Sequence, residues 1–275
     1  MPESVLHSDS YAAYIYFRLI LGKSSENTYI CLDIKIRIVA NLIIDIGNTA
    51  LKAAWADGMT LGKTFRYQGE RMFDFILSLI DKERPEVLVL SSVRKFTQQN
   101  LTRLEEVCDR LLLMDSAMFS HYSIPEYLTP DRAASIIASR YLFKGRSCTI
   151  FDFGTMLTVD YIGSDGCYEG GCISPGCMTR FKSVNRYSKH LPMLEIPDSI
   201  DEKGLSTADS ISSGVISGIM FEVQGHICRN PKNIVVFTGG DANYFAKRMK
   251  NSIFVVCNLV LMGLALTAVE YRRNE

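Results

Sequence analysis

Asp45, Gly47, Asn48, Thr49 and Lys52 fall within one short stretch, Asn41-Leu-Ile-Ile-Asp45-Ile-Gly47-Asn48-Thr49-Ala-Leu-Lys52, whose residue types suit the first phosphate-binding hairpin of a kinase. A buried strand of β-branched and leucine residues would hold Asp45 rigidly at its end. Gly47 would let a second backbone segment approach with no Cβ in the way. Polyphosphate could then sit against backbone N–H groups, with Lys52 as a mobile cation and Asp45 turned towards Mg²⁺ or its waters. A plain hairpin with a glycine turn fits the same letters, so the stretch alone leaves both readings open.

A second copy of the pattern follows one domain length later: Ile44-Asp45-Ile46-Gly47-Asn48-Thr49 is echoed by Phe151-Asp152-Phe153-Gly154-Thr155. The repeat implies two similar α/β lobes facing each other across a cleft, each offering a glycine hairpin and an acid. Thr238-Gly239-Gly240-Asp241 ends an apolar strand, Ile234–Phe237, and precedes a helix from Ala242. Missing side chains at such a turn let a nucleotide base or ribose lie on the backbone. Between the two acids, Tyr122-Ser-Ile-Pro-Glu-Tyr-Leu-Thr129-Pro130-Asp131-Arg132 runs into an alanine-rich helix, Ala133–Leu142. Pro130 suits the first turn and the helix dipole favours a carboxylate at Asp131, so an ordinary cap with a solvated arginine is one reading of that pair.

The elements that must position these residues read as follows. Strands are expected at Ile36–Ile46, Ala50–Trp55, Thr64–Tyr67, Glu86–Ser92 and Leu111–Met114, with helices at Glu70–Lys82 and Thr97–Cys108. The plan restarts with strands at Ser147–Phe153 and Leu157–Ile162 and another after the Gly163–Gly166 turn. Gly170-Gly171-Cys-Ile-Ser-Pro175-Gly176 then opens a helix, Cys177–Asn185. A long helix at Ser206–Asn230 carries glycines at 214, 218 and 225, expected to permit close packing, and the last helix, Leu259–Tyr271, should be buried up to Arg272-Arg273. Residues 1–37 carry no clear chemistry and fit an extra helix or a disordered leader.

Composition narrows the class. With 275 residues, 47% hydrophobic and 22% charged, the chain suits one large or two medium globular domains. Thirty basic residues balance thirty acidic ones, so no basic surplus points to nucleic acid. Eight cysteines form no C-x-x-C pair, and Cys167, Cys172 and Cys177, five apart, are their one cluster. Scattered thiols suit a reducing, cytoplasmic setting. No stretch reaches the roughly 18 apolar residues of a membrane span, and the acidic start with Glu3 and Asp9 argues against a signal peptide.

In this order the pieces resemble the type III pantothenate kinases, a branch of the superfamily of acetate and sugar kinases, actin and heat-shock chaperone ATPases. The resemblance is carried by Asp45-Ile-Gly47-Asn48-Thr49 with Lys52, Tyr122 through Asp131-Arg132, and Asp152-Phe-Gly154-Thr155 with Thr158 and Asp160. Further matches are Gly170-Gly171-Cys-Ile-Ser-Pro175-Gly176, Leu191-Pro192, Ser206-Thr207 ahead of Ser213-Gly214, and Thr238-Gly239-Gly240. It implies two actin-like (ribonuclease H-like) α/β lobes, each a mixed sheet with flanking helices around a central cleft. Residues 38–145 would form the first lobe and 146–275 the second, after an extension of unknown role at 1–37.

It also implies a homodimer that moves the γ-phosphoryl of ATP, with Mg²⁺, to the primary hydroxyl of pantothenate, the first step towards coenzyme A. ATP would be held by Asp45, Gly47, Asn48, Thr49, Lys52, Thr155, Gly239 and Gly240. Pantothenate would meet Tyr122, Thr129, Pro130, Asp131, Arg132 and Thr207, with Asp131 as proton acceptor and Arg132 suited to the carboxylate. Asp152 would hold a monovalent cation, K⁺ or NH₄⁺, although ion binding and hairpin capping are not separable there by sequence. Two departures stand out: Thr129 replaces the family's usual glycine two residues before the aspartate, and residues before 38 precede the family's normal start. The alternatives are a related small-molecule kinase with another acceptor, and a non-catalytic nucleotide-binding regulatory relative.

Overall fold

The computed structural model describes residues 13–23, 28–38, 40–81 and 83–273. In the leader, β1 (Ala13–Lys23) and β2 (Thr28–Ile38) pair as an antiparallel hairpin joined to neither larger sheet. This corrects the extra-helix alternative for that region; the expectation for residues 1–12 lies outside the described residues. The single strand expected over 36–46 is two, because β2 stops at Ile38 and β3 begins at Asn41.

The first sheet is built from β3 (Asn41–Ile46), β4 (Leu51–Asp57), β5 (Thr60–Tyr67), β6 (Val87–Ser92) and β7 (Arg110–Leu113). Helices α1 (Met72–Ile80) and α2 (Gln98–Val107) provide the crossovers to β6 and β7. After α3 (Ser116–His121) and α4 (Pro130–Leu142) the second sheet uses β8 (Cys148–Phe153), β9 (Met156–Ile162), β10 (Tyr168–Pro175), β11 (Ile234–Gly239) and β12 (Ile253–Val255). Its helices are α5 (Cys177–Tyr187), α6 (Thr207–Arg229) and α7 (Ala242–Ala246), and α8 (Leu259–Arg273) closes the chain. The strand orders are β5-β4-β3-β6-β7 and β10-β9-β8-β11-β12, so the repeat seen in the letters is a repeat of topology. Each sheet has an antiparallel meander on one side of its acid-bearing strand and parallel strands on the other.

Strand alternation then dictates where the acids go. Leu42, Ile44 and Ile46 pack towards α1 and α2, whereas Ile43 joins a central core with residues of α4, α8, Cys148, Ile150 and Ile162. Phe151 and Phe153 face α5, α6 and α7. By parity Asp45 follows Ile43 and Asp152 follows Ile150, so both carboxylates stand at the end of faces whose apolar residues fill the shared core. Removing Ile43, fully buried at its centre, would cost about 2–5 kcal/mol.

Helices α4 and α8 pack against each other in that core, and α8 also lies against β3 and β6 of the first sheet. Their closest approach is at Gly263, where a Cβ would run into the Ala134 backbone. The glycines expected to do this in α6 do not: a Cβ on Gly214 or Gly225 meets nothing within 4 Å, because both face outward. Besides β1, two elements have no counterpart in the sequence reading, the six-residue α3 and the three-residue β12. Both are too short for a periodic signal to develop.

Candidate active site

The two glycine hairpins meet. Thr49 Oγ1 and Thr155 Oγ1 are 3.0 Å apart and share a hydrogen bond across the boundary between the sheets. The first hairpin is closed by Gly47 N–H donating to Ala50 O at 3.0 Å, and Arg94 donates to the Asn48 carbonyl at 2.5 Å. The second is closed by Gly154 N–H to Met156 O, while Gly176 N–H and the Thr179 hydroxyl both donate to Thr155 O. Asn48, Thr49, Gly154 and Thr155 are exposed at this meeting point.

The glycines here divide into two kinds. At Gly239, with φ +93°, a Cβ would run into the Asp152 carboxylate and the Phe153 backbone, and Asp241 N–H donates to Phe153 O at 3.2 Å. At Gly176 a Cβ would strike Gly154 O. These positions are glycine because the protein packs against itself. At Gly47 and Gly154 the nearest atoms would be 3.5 and 3.6 Å away, and at Gly240 nothing lies within 4 Å. Packing within the chain does not require glycine there, which leaves room for an external group to lie against the backbone.

Asp45 sits between its cross-strand neighbours Lys52 and Ser91, and the Ser91 hydroxyl donates to its Oδ1 at 2.9 Å. Burial, and then the Asp131 carboxylate, push the Asp45 carboxyl up to about 7 against the pull of Ser91 and Lys52. Asp152 lies between Thr158 and Thr238 in register. Burial and then Asp131 push it up to about 6, with Lys52 opposing and Asp160 adding to the rise. Asp131 is therefore close enough to perturb both hairpin acids, although it enters from α4. Thr129 caps that helix without a side-chain hydrogen bond, and Asp131 Oδ1 accepts the Arg132 N–H at 2.9 Å, so its second oxygen stays available for chemistry.

Arg132 is not a solvated arginine. It is 7% exposed, and its Nε and Nη2 grip Asp160 in a bidentate pair at 2.6–3.2 Å while Tyr168 Oη lies 3.0 Å from Nη2. Burial alone would lower its pKa, but pairing with Asp160 raises it above the usual range, so the guanidinium stays charged. A Cβ at Gly171 would meet Arg132 Nη2 and Asp160 Oδ1 at 2.6 and 2.8 Å, which explains the glycine in β10. Nη1 takes no part in the Asp160 grip and is the guanidinium's remaining donor group. The sequence singled out Asp160 only as part of a motif. Its partner could be anticipated from β9, where Thr158, Asp160 and Ile162 share the core-facing parity.

Tyr122 is half-buried, bonded through its hydroxyl to Glu270 of α8. It lines a cavity of about 720 Å³ with Pro125, Arg140, Lys144 and Tyr168. Pro130 opens α4, and Thr129 is exposed before it. Thr207 is exposed at the first position of α6 and, among the described residues, enters none of the contacts that join Asp45, Asp131, Asp152 and Asp160. The structure thus gathers the two glycine hairpins, Gly239-Gly240 and Asp131-Arg132, and leaves Thr207 apart.

Among the described residues no three His, Cys, Asp or Glu side chains converge as a metal shell. Cys167 and Cys172 are exposed and Cys177 is buried, so the cysteine cluster offers no joint site either. Metal chemistry at the cleft would need oxygens supplied from outside the protein, as polyphosphate and water supply them to Mg²⁺.

This geometry has known counterparts. A family profile for type III pantothenate kinases matches residues 41–229, a span that includes Asp45, Asp131, Asp152 and Thr207. The chain belongs to the type III pantothenate kinase family. The type III pantothenate kinase of Cytophaga hutchinsonii is 36% identical over 232 residues, covering 82% of this chain and 96% of that protein. Among solved structures, a conserved Baf family protein of Campylobacter jejuni superposes with a TM-score of 0.60 at 20% identity, covering 85% of this chain and all of that one. The activator of the 2-hydroxyisocaproyl-CoA dehydratase of Clostridium difficile, solved with bound ADPNP, gives 0.56 at 15% identity, covering 86% and 96%. Both share the two-sheet α/β fold. The family match starts where β3 starts, so the leader hairpin lies outside it.

Proposed function

We propose that this chain transfers the γ-phosphoryl of ATP to the primary hydroxyl of pantothenate, giving 4'-phosphopantothenate in the first step of coenzyme A biosynthesis. The observation that carries the reading is that Asp131 lies near enough to raise the pKa of both hairpin acids, which supports its assignment as the acceptor-side carboxylate. The open glycines 47, 154 and 240 are where backbone would lie against ATP. Asn48, Thr49 and Thr155 supply polar contacts, and Lys52 supplies a positive charge. Asp131 orients the acceptor hydroxyl and takes its proton as the hydroxyl oxygen bonds to the γ-phosphorus and the bond to ADP breaks. Most of the acceleration comes from alignment and charge neutralisation. Arg132 Nη1 is the group suited to the pantothenate carboxylate, held in place by the Asp160 grip. Tyr122, Thr129 and Pro130 complete the acceptor side, and we assign Thr207 to it on the family resemblance alone.

Among the described residues, Lys52 and Arg132 are the cations that act on Asp45, Asp152 and Asp160, so with Asp131 the ionised cleft has an excess of negative charge. Mg²⁺ bound with ATP would be oriented by Asp45 and would neutralise charge on the transferring phosphoryl group. A monovalent cation, K⁺ or NH₄⁺, fits beside Asp152, because the Thr158 Oγ1 opposite it is buried with no partner. A homodimer is supported by Ile173 of edge strand β10, 57% exposed, and Phe221 of α6, 75% exposed, on a helix face where Gly214, Gly225 and Cys228 also look outward. No described helix is long and apolar enough to cross a membrane, and we place the enzyme in the cytoplasm.

The test couples ADP release to added pantothenate with Mg²⁺, in K⁺ and in Na⁺. Pantothenate-dependent turnover that is faster in K⁺ is expected. No pantothenate-dependent turnover in any salt would overturn the reading, and turnover with another alcohol would reassign the acceptor.

A further inference from the structure

Tyr122 is fixed from three directions. Its hydroxyl donates to Glu270 Oε2 of α8 at 2.5 Å, its carbonyl accepts from Arg140 Nη1 of α4 at 2.6 Å, and its N–H donates to Met118 O at the end of α3. Arg140 is braced in turn by donating to Gly166 O at 2.7 Å. Such a tether is more than the loop needs for packing, since the ring already sits against the central core. Helix α8 is itself registered by Gly263 against Ala134 and by Arg272 pairing with Glu86 at 2.9 Å. The carboxylate at 270 is therefore delivered to Tyr122 by a rigid element.

The bond has a chemical consequence. A phenol has one proton, and once that proton is committed to a carboxylate the oxygen can only accept. Burial and then Glu270 drive the Tyr122 pKa far above its ordinary value, so the phenol keeps the proton that Glu270 holds. We propose that Glu270 is a positioning residue for the acceptor site, acting through Tyr122. By taking the phenol proton it aims the ring of Tyr122, a residue that lines a cavity together with Tyr168, and makes Tyr122 Oη an obligatory hydrogen-bond acceptor. Such an oxygen reads an N–H or O–H donor and, with an anion bonded behind it, disfavours a carboxylate. In pantothenate the matching groups are the amide N–H and the secondary hydroxyl, while the carboxylate goes to Arg132. This inference rests on the pantothenate reading above.

The test is a set of steady-state measurements on the full chain with Glu270→Ala, Glu270→Gln, Tyr122→Phe and the Glu270→Ala/Tyr122→Phe pair. Loss of a charge-assisted contact should raise the KM for pantothenate about tenfold in Glu270→Ala and in Tyr122→Phe, with kcat and the KM for ATP within about twofold. The double variant should be no worse than Tyr122→Phe, because both changes remove one device. Glu270→Gln, whose amide oxygen still accepts the phenol proton, should stay near wild type, a rescue that mere loss of helix packing would not show. If Glu270→Ala does not fold, Glu270→Met keeps the side-chain bulk and should show the same KM rise. An unchanged pantothenate KM in Glu270→Ala or Glu270→Met, a parallel rise in the ATP KM, or multiplying effects in the double variant would overturn the inference while leaving the pantothenate reading intact. Absence of pantothenate turnover in the wild type would overturn both.

Discussion

Asp45 and Asp152 occupy the same place in two sheets of the same topology, yet their neighbours differ. Across the strands from Asp45 stand Lys52, a resident cation, and Ser91, which donates a hydrogen bond. Across from Asp152 stand Thr158 and Thr238, and the Thr158 hydroxyl is buried without a partner. The first lobe carries its own countercharge, and the second keeps a carboxylate and an orphaned oxygen side by side. An unpaired buried polar atom is costly enough that its persistence needs a reason, and a bound cation supplies one. The duplication thus explains the architecture, while divergence at the cross-strand neighbours supports the proposed division of roles, phosphate and Mg²⁺ at Asp45 and a monovalent cation at Asp152.

Exchanging the neighbours breaks the comparison most severely. Lys52→Thr would leave Asp45 with a hydroxyl opposite it, as at Asp152, and should lower kcat by about 10²-fold or more, since it removes a fixed charge at the phosphoryl group. Asp152→Asn should weaken K⁺ affinity by about 10–100-fold and bring turnover in K⁺ and Na⁺ towards equality, measured by salt titration of the coupled assay. Thr158→Val should do the same more mildly, and by removing the orphaned hydroxyl it should raise the stability of the cation-free protein by about 1 kcal/mol in denaturant melts. A fall in that stability would show that the hydroxyl has a partner within the protein.

The smallest effect concerns pH. Asp45 and Asp152 have folded pKa values of about 7 and about 6, above the ordinary 3.8. The folded state therefore binds protons more tightly than the unfolded one, and ligand-free stability should fall as pH rises from about 4 to about 7. Asp45→Asn should flatten that slope and give a higher melting temperature than wild type at pH 8, but not at pH 4. An unchanged slope would mean that Asp45 is not strained by its site.

Much of this was legible in the letters, because the repeated Asp-x-Gly turn fixes local backbone geometry and the apolar runs that precede it mark strands buried on both faces. The two sheets and the placing of Asp45 and Asp152 at strand ends follow from those signals. What stayed hidden depends on tertiary approach. Arg132 reads as solvated or ligand-facing until Asp160, from a different strand, is brought beneath it. Glu270 looks like an ordinary polar residue near the end of a helix until α8 returns to the first sheet. The α6 glycines suggested close packing by composition alone, yet Gly263 is where a backbone approaches, because only the fold decides which helix face meets a neighbour. In the leader, the alternation of Ile30, Leu32, Ile34, Ile36 and Ile38 with Cys31, Asp33, Lys35 and Arg37 is the period-2 signal of the strand found there.

Asp131 between the two hairpins is the centre of the account, and Asp131→Asn tests it directly when turnover and ATP affinity are measured on the same sample. The carboxylate is assigned to the acceptor's proton and not to the nucleotide, so kcat should fall by about 10²–10⁴-fold while affinity for a non-hydrolysable ATP analogue stays within about twofold. Near-full activity in Asp131→Asn, or loss of nucleotide binding in step with turnover, would contradict it.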